Sequence, residues 1–395
     1  MKRLLPVLAA LVLVGAVVAV VVWQRPDTVP PPAAPSKDFV LQYADGSPLW
    51  SSKDGDPESP LVRQVLGELR LQASLPAERL HQVGGVVTTT IDPKAQVAAL
   101  SVVETTARAQ PAALRYSLTA VDPASGGVLA YVPGAAGEDK TDYAGGVLRE
   151  PGPVFFPIDV VAALQNGQTL DSTYDGSSPR KLAGVTIHNK GDVGLGKQVT
   201  LREAFARASN VVMYDMIVNH VGIEPTVTAA RQAGVPDAVL VDGGEKKLLV
   251  GEDGGLPNAG IALGGQDAVM RPLDLTTVYA TFAAGGVHHK THLVTKVSSE
   301  GGDLLYRAVE STSSAFAPDS AKSKALAEQV TTVLKDNTVC PNAVCLAGEY
   351  EPVPNAAGGH AWTVGYTDRM AVTVMTGGTD AGLPKAIWQK FVEQS

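Results

Sequence analysis

The chain has 395 residues, of which 45% are hydrophobic and 18% charged, enough apolar material to bury a large core. With 40 acidic against 32 basic residues it carries a formal net charge of −8, and no Lys/Arg cluster stands out along it. There is thus no basic face for a phosphate backbone, and nucleic acid is excluded as a partner.

Lys2 and Arg3 precede an uncharged run over residues 4–23, and a helix of that length rises about 30 Å, one hydrocarbon core. Residues 1–23 therefore read as a single transmembrane anchor. Positive charge on its N-terminal side keeps that end in the cytoplasm and places the rest of the chain outside. A cleaved signal peptide is the rival reading, but Val17-Val18-Ala19 runs on into more valines and Trp23 instead of ending in small residues. Pro26, Pro30, Pro31, Pro32 and Pro35 make residues 24–37 an extended, semi-rigid spacer. Residues 38–83 read as a connector, with a turn at Asp45-Gly46-Ser47 and an amphipathic stretch over 61–71.

The remaining residues, 84–395, read as one large domain. Asp92-Pro93 is a helix start, followed by Val97, Leu100, Val103 and Ala107 at helical spacing, which predicts one buried face. Leu118 and Ala120, then Val128, Ala130 and Val132, alternate around Asp122-Pro123-Ala124-Ser125-Gly126-Gly127 and predict a hairpin. A second hairpin is predicted late, with Trp362 and Val364 before Asp368-Arg369 and Met370, Val372 and Val374 after it. A short helix over 386–392 closes the chain. Strands at both ends with helical material between them imply an α+β domain whose two ends share one sheet. Cys340 and Cys345, the only cysteines, suggest a small disulfide loop in an exported chain, with two free thiols as the alternative. Zinc is not expected, because this pair lacks a second pair of ligands nearby.

Several phrases in a fixed order carry a resemblance. Gly84-Gly85-Val86-Val87-Thr88-Thr89-Thr90-Ile91-Asp92, then Ala120-Val121-Asp122-Pro123 with Gly127-Val128-Leu129-Ala130-Tyr131-Val132, and Arg149-Glu150-Pro151-Gly152 stand in the first half. Thr200-Leu201-Arg202-Glu203-Ala204-Phe205-Ala206-Arg207 with Ser209-Asn210, Pro272-Leu273-Asp274 with Tyr279-Ala280-Thr281-Phe282-Ala283, and Ala361-Trp362-Thr363-Val364-Gly365-Tyr366-Thr367 follow. From Gly84 onward the chain resembles the transpeptidase domain of class A penicillin-binding proteins. The resemblance implies a five-stranded antiparallel sheet flanked by helices, a helical subdomain and a cleft between them. It also implies peptidoglycan synthesis as the setting, with stem peptides or cell-wall synthesis proteins as partners, the membrane as anchorage and no cofactor. Bifunctional relatives carry a glycosyltransferase domain between anchor and transpeptidase; here only spacer and connector intervene, so glycan polymerisation is not expected.

The same resemblance locates three motifs, and each departs from the family pattern. The reaction needs a Ser nucleophile at a helix start and a Lys one turn later, on one face, to take the hydroxyl proton. The matching phrase reads Pro153-Val154-Phe155-Phe156, with Pro153 at the nucleophile and Phe156 at the amine. The Ser-x-Asn motif reads Ala208-Ser209-Asn210, which keeps only the amide. Lys-Thr/Ser-Gly is expected just before Ala361-Trp362, where Gly358, Gly359 and His360 stand instead, and no such triplet occurs in the chain. Ser209, Asn210, Gly358, Gly359 and His360 remain as cleft-lining candidates. Ser178-Pro179-Arg180-Lys181 is a literal Ser-x-x-Lys, but it lies among turn formers and is read as coincidence. His288, His289 and His292 are read as a polar loop in preference to a metal site. The expectation is a catalytically degenerate, transpeptidase-like protein with a binding, scaffolding or regulatory role. The alternative is an active acyl transferase, or a non-covalent β-lactam or peptidoglycan binder, using relocated residues such as Ser209.

Overall fold

The computed structural model describes residues 36–135, 140–241, 244–336, 340, 343–350, 359–378, 380 and 382–395. Its main strands are β1 (Val40–Gln42), β2 (Pro48–Ser51), β3 (Val86–Thr89), β4 (Tyr116–Val121), β5 (Val128–Val132), β6 (Val294–Ser298), β7 (Leu304–Arg307), β8 (Val344–Tyr350), β9 (His360–Tyr366) and β10 (Ala371–Gly377). The α-helices are α1 (Pro60–Gln72), α2 (Ala77–Val83), α3 (Pro93–Ala107), α4 (Phe156–Gln165), α5 (Leu201–Ala206), α6 (Asn210–Asp215), α7 (Ile223–Gln232), α8 (Pro272–Ala283), α9 (Ser320–Asp336) and α10 (Gly382–Gln394).

The central sheet runs β8-β9-β10-β4-β5, every pair antiparallel, so strands from both ends of the domain share it, as the two predicted hairpins imply. The β4–β5 turn forms because Asp122 folds back on it: its carboxylate accepts from Ala124 N at 2.9 Å and the Ser125 hydroxyl at 2.6 Å, and Gly126 takes φ +78°. Leu118, Ala120, Val372 and Val374 point to the face covered by α3 and α10, where they meet Ile387, Trp388 and Phe391. Trp388 also donates its indole N–H to the Val372 carbonyl at 3.1 Å, so its polar end is satisfied in the core. On the other face α8 is tied to the sheet by buried hydroxyls, with Thr276 Oγ1 2.5 Å from Thr119 Oγ1 and 2.7 Å from Thr373 Oγ1.

α3 starts where the sequence places it, with Asp92 Oδ1 accepting from Ala95 N at 2.8 Å and Pro93 in the first turn. Of the expected face Val103 is buried and Leu100 and Ala107 pack against the core, but Val97 does not. Ala95, Gln96, Ala99, Val102 and Val103 face inward, and Val97 is 62% exposed. The reason is Gln96: its amide donates to the Tyr131 carbonyl at 2.9 Å and accepts from Tyr131 N at 2.8 Å, pairing the edge of β5 as a strand would. That bond turns the helix about its axis and leaves Val97 outside.

Residues 38–83 pack into the rest of the chain. β1 pairs in parallel with β3, and the second sheet runs β7-β6-β3-β1-β2, so it joins both sides of the boundary expected at residue 84. α1 buries Leu61, Val62, Val65 and Leu69, and its Glu68 carboxylate accepts from Leu293 N at 2.7 Å and Val294 N at 3.1 Å, at the entry to β6. No helix among the described residues is long and apolar enough to cross a membrane; the expected anchor, 1–23, and nearly all of the spacer lie outside them.

Candidate active site

The segment Arg149-Glu150-Pro151-Gly152 leads into a 3₁₀ turn, Gly152–Phe155, and directly into α4. Several of its backbone groups are held from other parts of the chain. Arg149 and Met270 exchange two backbone bonds of 3.0 Å, Gly152 N donates to Gly264 O at 2.9 Å, and the Tyr279 hydroxyl donates to the Val154 carbonyl at 3.0 Å. Gly264 must be glycine here: it sits at φ +62°, and a Cβ would meet Gly152 N at 2.7 Å.

Pro153 lies in the first turn, half-buried, where its missing N–H costs little. Phe156 is 1% exposed and opens α4, with Pro157 next to it. Sequence and structure therefore agree on where these two residues stand, at the start of a buried helix. One turn further on, Asp159 is fully buried, and neither carboxylate oxygen has a hydrogen-bond partner. Desolvation holds its carboxyl well above the ordinary range. Nothing in the sequence reading had singled it out.

The strand beside Pro153 is β8. A Cβ on Gly348 would lie 3.1 Å from Val154 Cγ1 and 3.4 Å from Pro153 Cδ, so strand and turn are in contact. This corrects the expected place of the third motif. The strand in contact with Pro153 reads Val344-Cys345-Leu346-Ala347-Gly348-Glu349-Tyr350, whereas His360 opens the next strand inward, with Tyr350 opposite it in register. Nor does His360 supply a cleft cation. It is 2% exposed, packs edge-on against Trp362 with ring centroids 5.6 Å apart, and donates from Nε2 to the Glu150 carbonyl at 2.7 Å. Trp362 donates to the same carbonyl at 3.1 Å, so β9 fixes the turn from beneath. Gly359 accepts from Gly378 N at 2.7 Å within the sheet, and Gly358 lies outside the described residues.

At the second motif, Ala208 takes φ +45° and Ser209 caps α6. The Ser209 hydroxyl is fully buried, accepts from Val212 N at 3.3 Å and donates to Asn189 Oδ1 at 3.1 Å, so it is a structural cap and does not line the cleft. Asn210 is half-buried and donates to the His188 carbonyl at 3.1 Å. Asn189 is the residue that sequence reasoning missed. Its Oδ1 takes both Ser209 and Val211 N, its Nδ2 donates to Val193 O, and its N–H donates to the Ser178 hydroxyl at 2.9 Å. Only an Asx-type residue has the reach and the two-sided amide to do this, and nothing in its neighbourhood of the sequence announces the role. The segment Ala259–Leu263 packs against both α6 and the 3₁₀ turn.

The literal Ser178-x-x-Lys181 does not assemble a nucleophile and base. Ser178 accepts from Asn189, Arg180 pairs with Asp215 at 2.8 Å, and Lys181 is exposed. His288 and His289 lie in the strand Val287–His289 and not in a loop. Burial and the neighbouring His289 push the His288 imidazole down, while His292 turns to the Lys290 carbonyl at 3.1 Å. Among the described residues no group of three His, Cys, Asp or Glu could hold a metal. Cys340 and Cys345 are joined, with Cα atoms 5.8 Å apart, just ahead of and within β8.

The family described as the penicillin-binding protein transpeptidase domain matches residues 116–341, more than half of the chain. Penicillin-binding protein 1A of Mycolicibacterium smegmatis is 31% identical over 93% of this chain and 47% of its own length, and that of Mycobacterium tuberculosis is 30% identical over 93% and 45%. The chain spans about half the length of the curated relatives it matches. The structure of the PonA1 protein from Mycobacterium tuberculosis in complex with penicillin V superposes with a TM-score of 0.74 at 29% identity, over 85% of this chain and 92% of that one. The family model covers more than half of the chain and the fold superposes, and the chain belongs to the penicillin-binding protein transpeptidase domain family.

Proposed function

We propose that this chain is a membrane-anchored, extracytoplasmic member of its family that serves peptidoglycan synthesis by binding and not by acyl transfer. In this reading residues 1–23 anchor, 24–37 space, 38–83 connect, and 84–395 present a transpeptidase-like cleft to a stem peptide or a cognate cell-wall synthesis protein. The observation that carries it is Pro153. A pyrrolidine ring stands in the first helical turn where the reaction needs a hydroxyl, and Phe156 fills the position of the amine. Ala208 offers no hydroxyl, and the strand in contact with Pro153, residues 344–350, contains no Lys or Arg. Where such groups act as a unit, loss of one alone lowers the rate by orders of magnitude. A relocated nucleophile at Ser209 finds no support, since that hydroxyl is buried and engaged as a cap.

Incubation of the full-length protein in membranes with a fluorescent penicillin, followed by a denaturing gel, tests the proposal. The expected result is no labelled band. A band that disappears when the protein is unfolded before labelling overturns it, and Ser209→Ala and Ser178→Ala then locate the nucleophile.

A further inference from the structure

Helix α4 is buried along residues 156–163, and Asp159 is the one ionisable side chain in that stretch. α7, α9 and the segments Met216–Val221 and Ala259–Leu263 pack against it. Their charged or titratable groups are engaged elsewhere or lie away from it. Arg231 pairs with Asp237, Lys324 with Glu328, Asp336 with Arg202, and His220 packs on Tyr174. Glu224, Lys322 and Lys335 make no bond to Asp159, whose two oxygens have no partner at all. An ionised carboxylate with neither donor nor cation in an apolar interior is far more costly than the neutral acid.

We propose that Asp159 is a protonation lock on α4: the helix, and with it the turn that carries Pro153, packs as described only while this carboxyl is neutral. Ionisation requires the helix to move until water reaches the side chain. The folded protein thus holds the Asp159 proton more tightly than the unfolded chain does. The stability this gives is complete below the unfolded carboxyl's pKa of about 4 and is lost as pH rises towards the raised folded value. Acid favours the packed helix, and alkali favours its opening.

Denaturant unfolding and hydrogen exchange of the full chain, of Asp159→Asn and of Asp159→Leu between pH 5 and 8 test this. The folding constant of the wild type, divided by that of Asp159→Asn, should fall by up to about tenfold for each pH unit. Asp159→Leu should show the same pH dependence as Asp159→Asn and serves as the reference if the Asn variant does not fold. Amides of α4, after correction for intrinsic exchange, should lose protection with rising pH ahead of those of β9. Equal pH slopes in all three proteins overturn the proposal. So does an infrared difference spectrum against Asp159→Asn that shows an ionised Asp159 at pH 7, or a loss of protection that is uniform over α4 and β9.

Discussion

An amine placed at position 156 would have Asp159 as its neighbour. Residues three apart on a helix bring their Cβ atoms to about 5–6 Å, and both positions are buried. Pro153 and Ala208 give an amine nothing to bond, whereas the Asp159 carboxyl has no other claim on it. Phe156→Lys should still destabilise, by about 2–5 kcal/mol, through lost aromatic packing and a buried amine. Adding Asp159→Asn to it should destabilise further, although the same change in the wild type should be neutral or stabilising. A double-mutant cycle by thermal or denaturant unfolding should therefore give a coupling of about 1–3 kcal/mol, and a coupling near zero refutes the neighbourhood. At this scale Pro153 and Phe156 were legible because a helix start has local signals and the family phrase runs through it. Ser209 and His360 were not. Their partners, Asn189 and Glu150, lie far off in sequence, and whether a hydroxyl is a nucleophile or a cap depends on which backbone N–H it meets.

At the scale of elements, the seam between α1 and β6 hangs on Glu68. Burial pushes its carboxyl up to about 7, against the downward pull of the Leu293 and Val294 N–H donors and of Lys290. Raised above its unfolded value, the group stabilises fully below about pH 4.5 and loses that contribution as pH rises through 7. The melting temperature of the wild type, relative to Glu68→Gln, should fall between pH 5 and pH 8, by the equivalent of at most about 3 kcal/mol. A rise over that interval would mean that the two backbone donors outweigh desolvation. Elements themselves were mostly readable: the two hairpins, the Asp92-Pro93 helix start and the closing helix all stand where alternation, turn residues and caps put them. β8 escaped notice. Its run Leu346-Ala347-Gly348 has little alternating character, and its place is given by pairing with β9 and contact with Pro153, not by its own composition.

For the whole molecule, the second sheet decides where the chain can be cut. A protein beginning at residue 84 would lack β1, β2 and α1, leave one edge of β3 unpaired and uncover the apolar surface that α1 buries. It should express poorly or aggregate, while one beginning at residue 36 should fold cooperatively and stay in solution. Size-exclusion chromatography and thermal melts of the two chains decide this. Equal behaviour would show that residues 38–83 are dispensable for folding of the rest.

Sequence alone determined the α+β class, the family and the sheet shared by both ends, because each rests on local period, turn chemistry or an ordered phrase. Tertiary structure decided which face of α3 is buried, which strand lies against Pro153, what Ser209 and His360 bond to and that Asp159 is stranded without a partner. Those facts depend on groups brought together from distant parts of the chain, and burial, which sets the cost of a charge or an unpaired hydrogen bond, exists only once they have met.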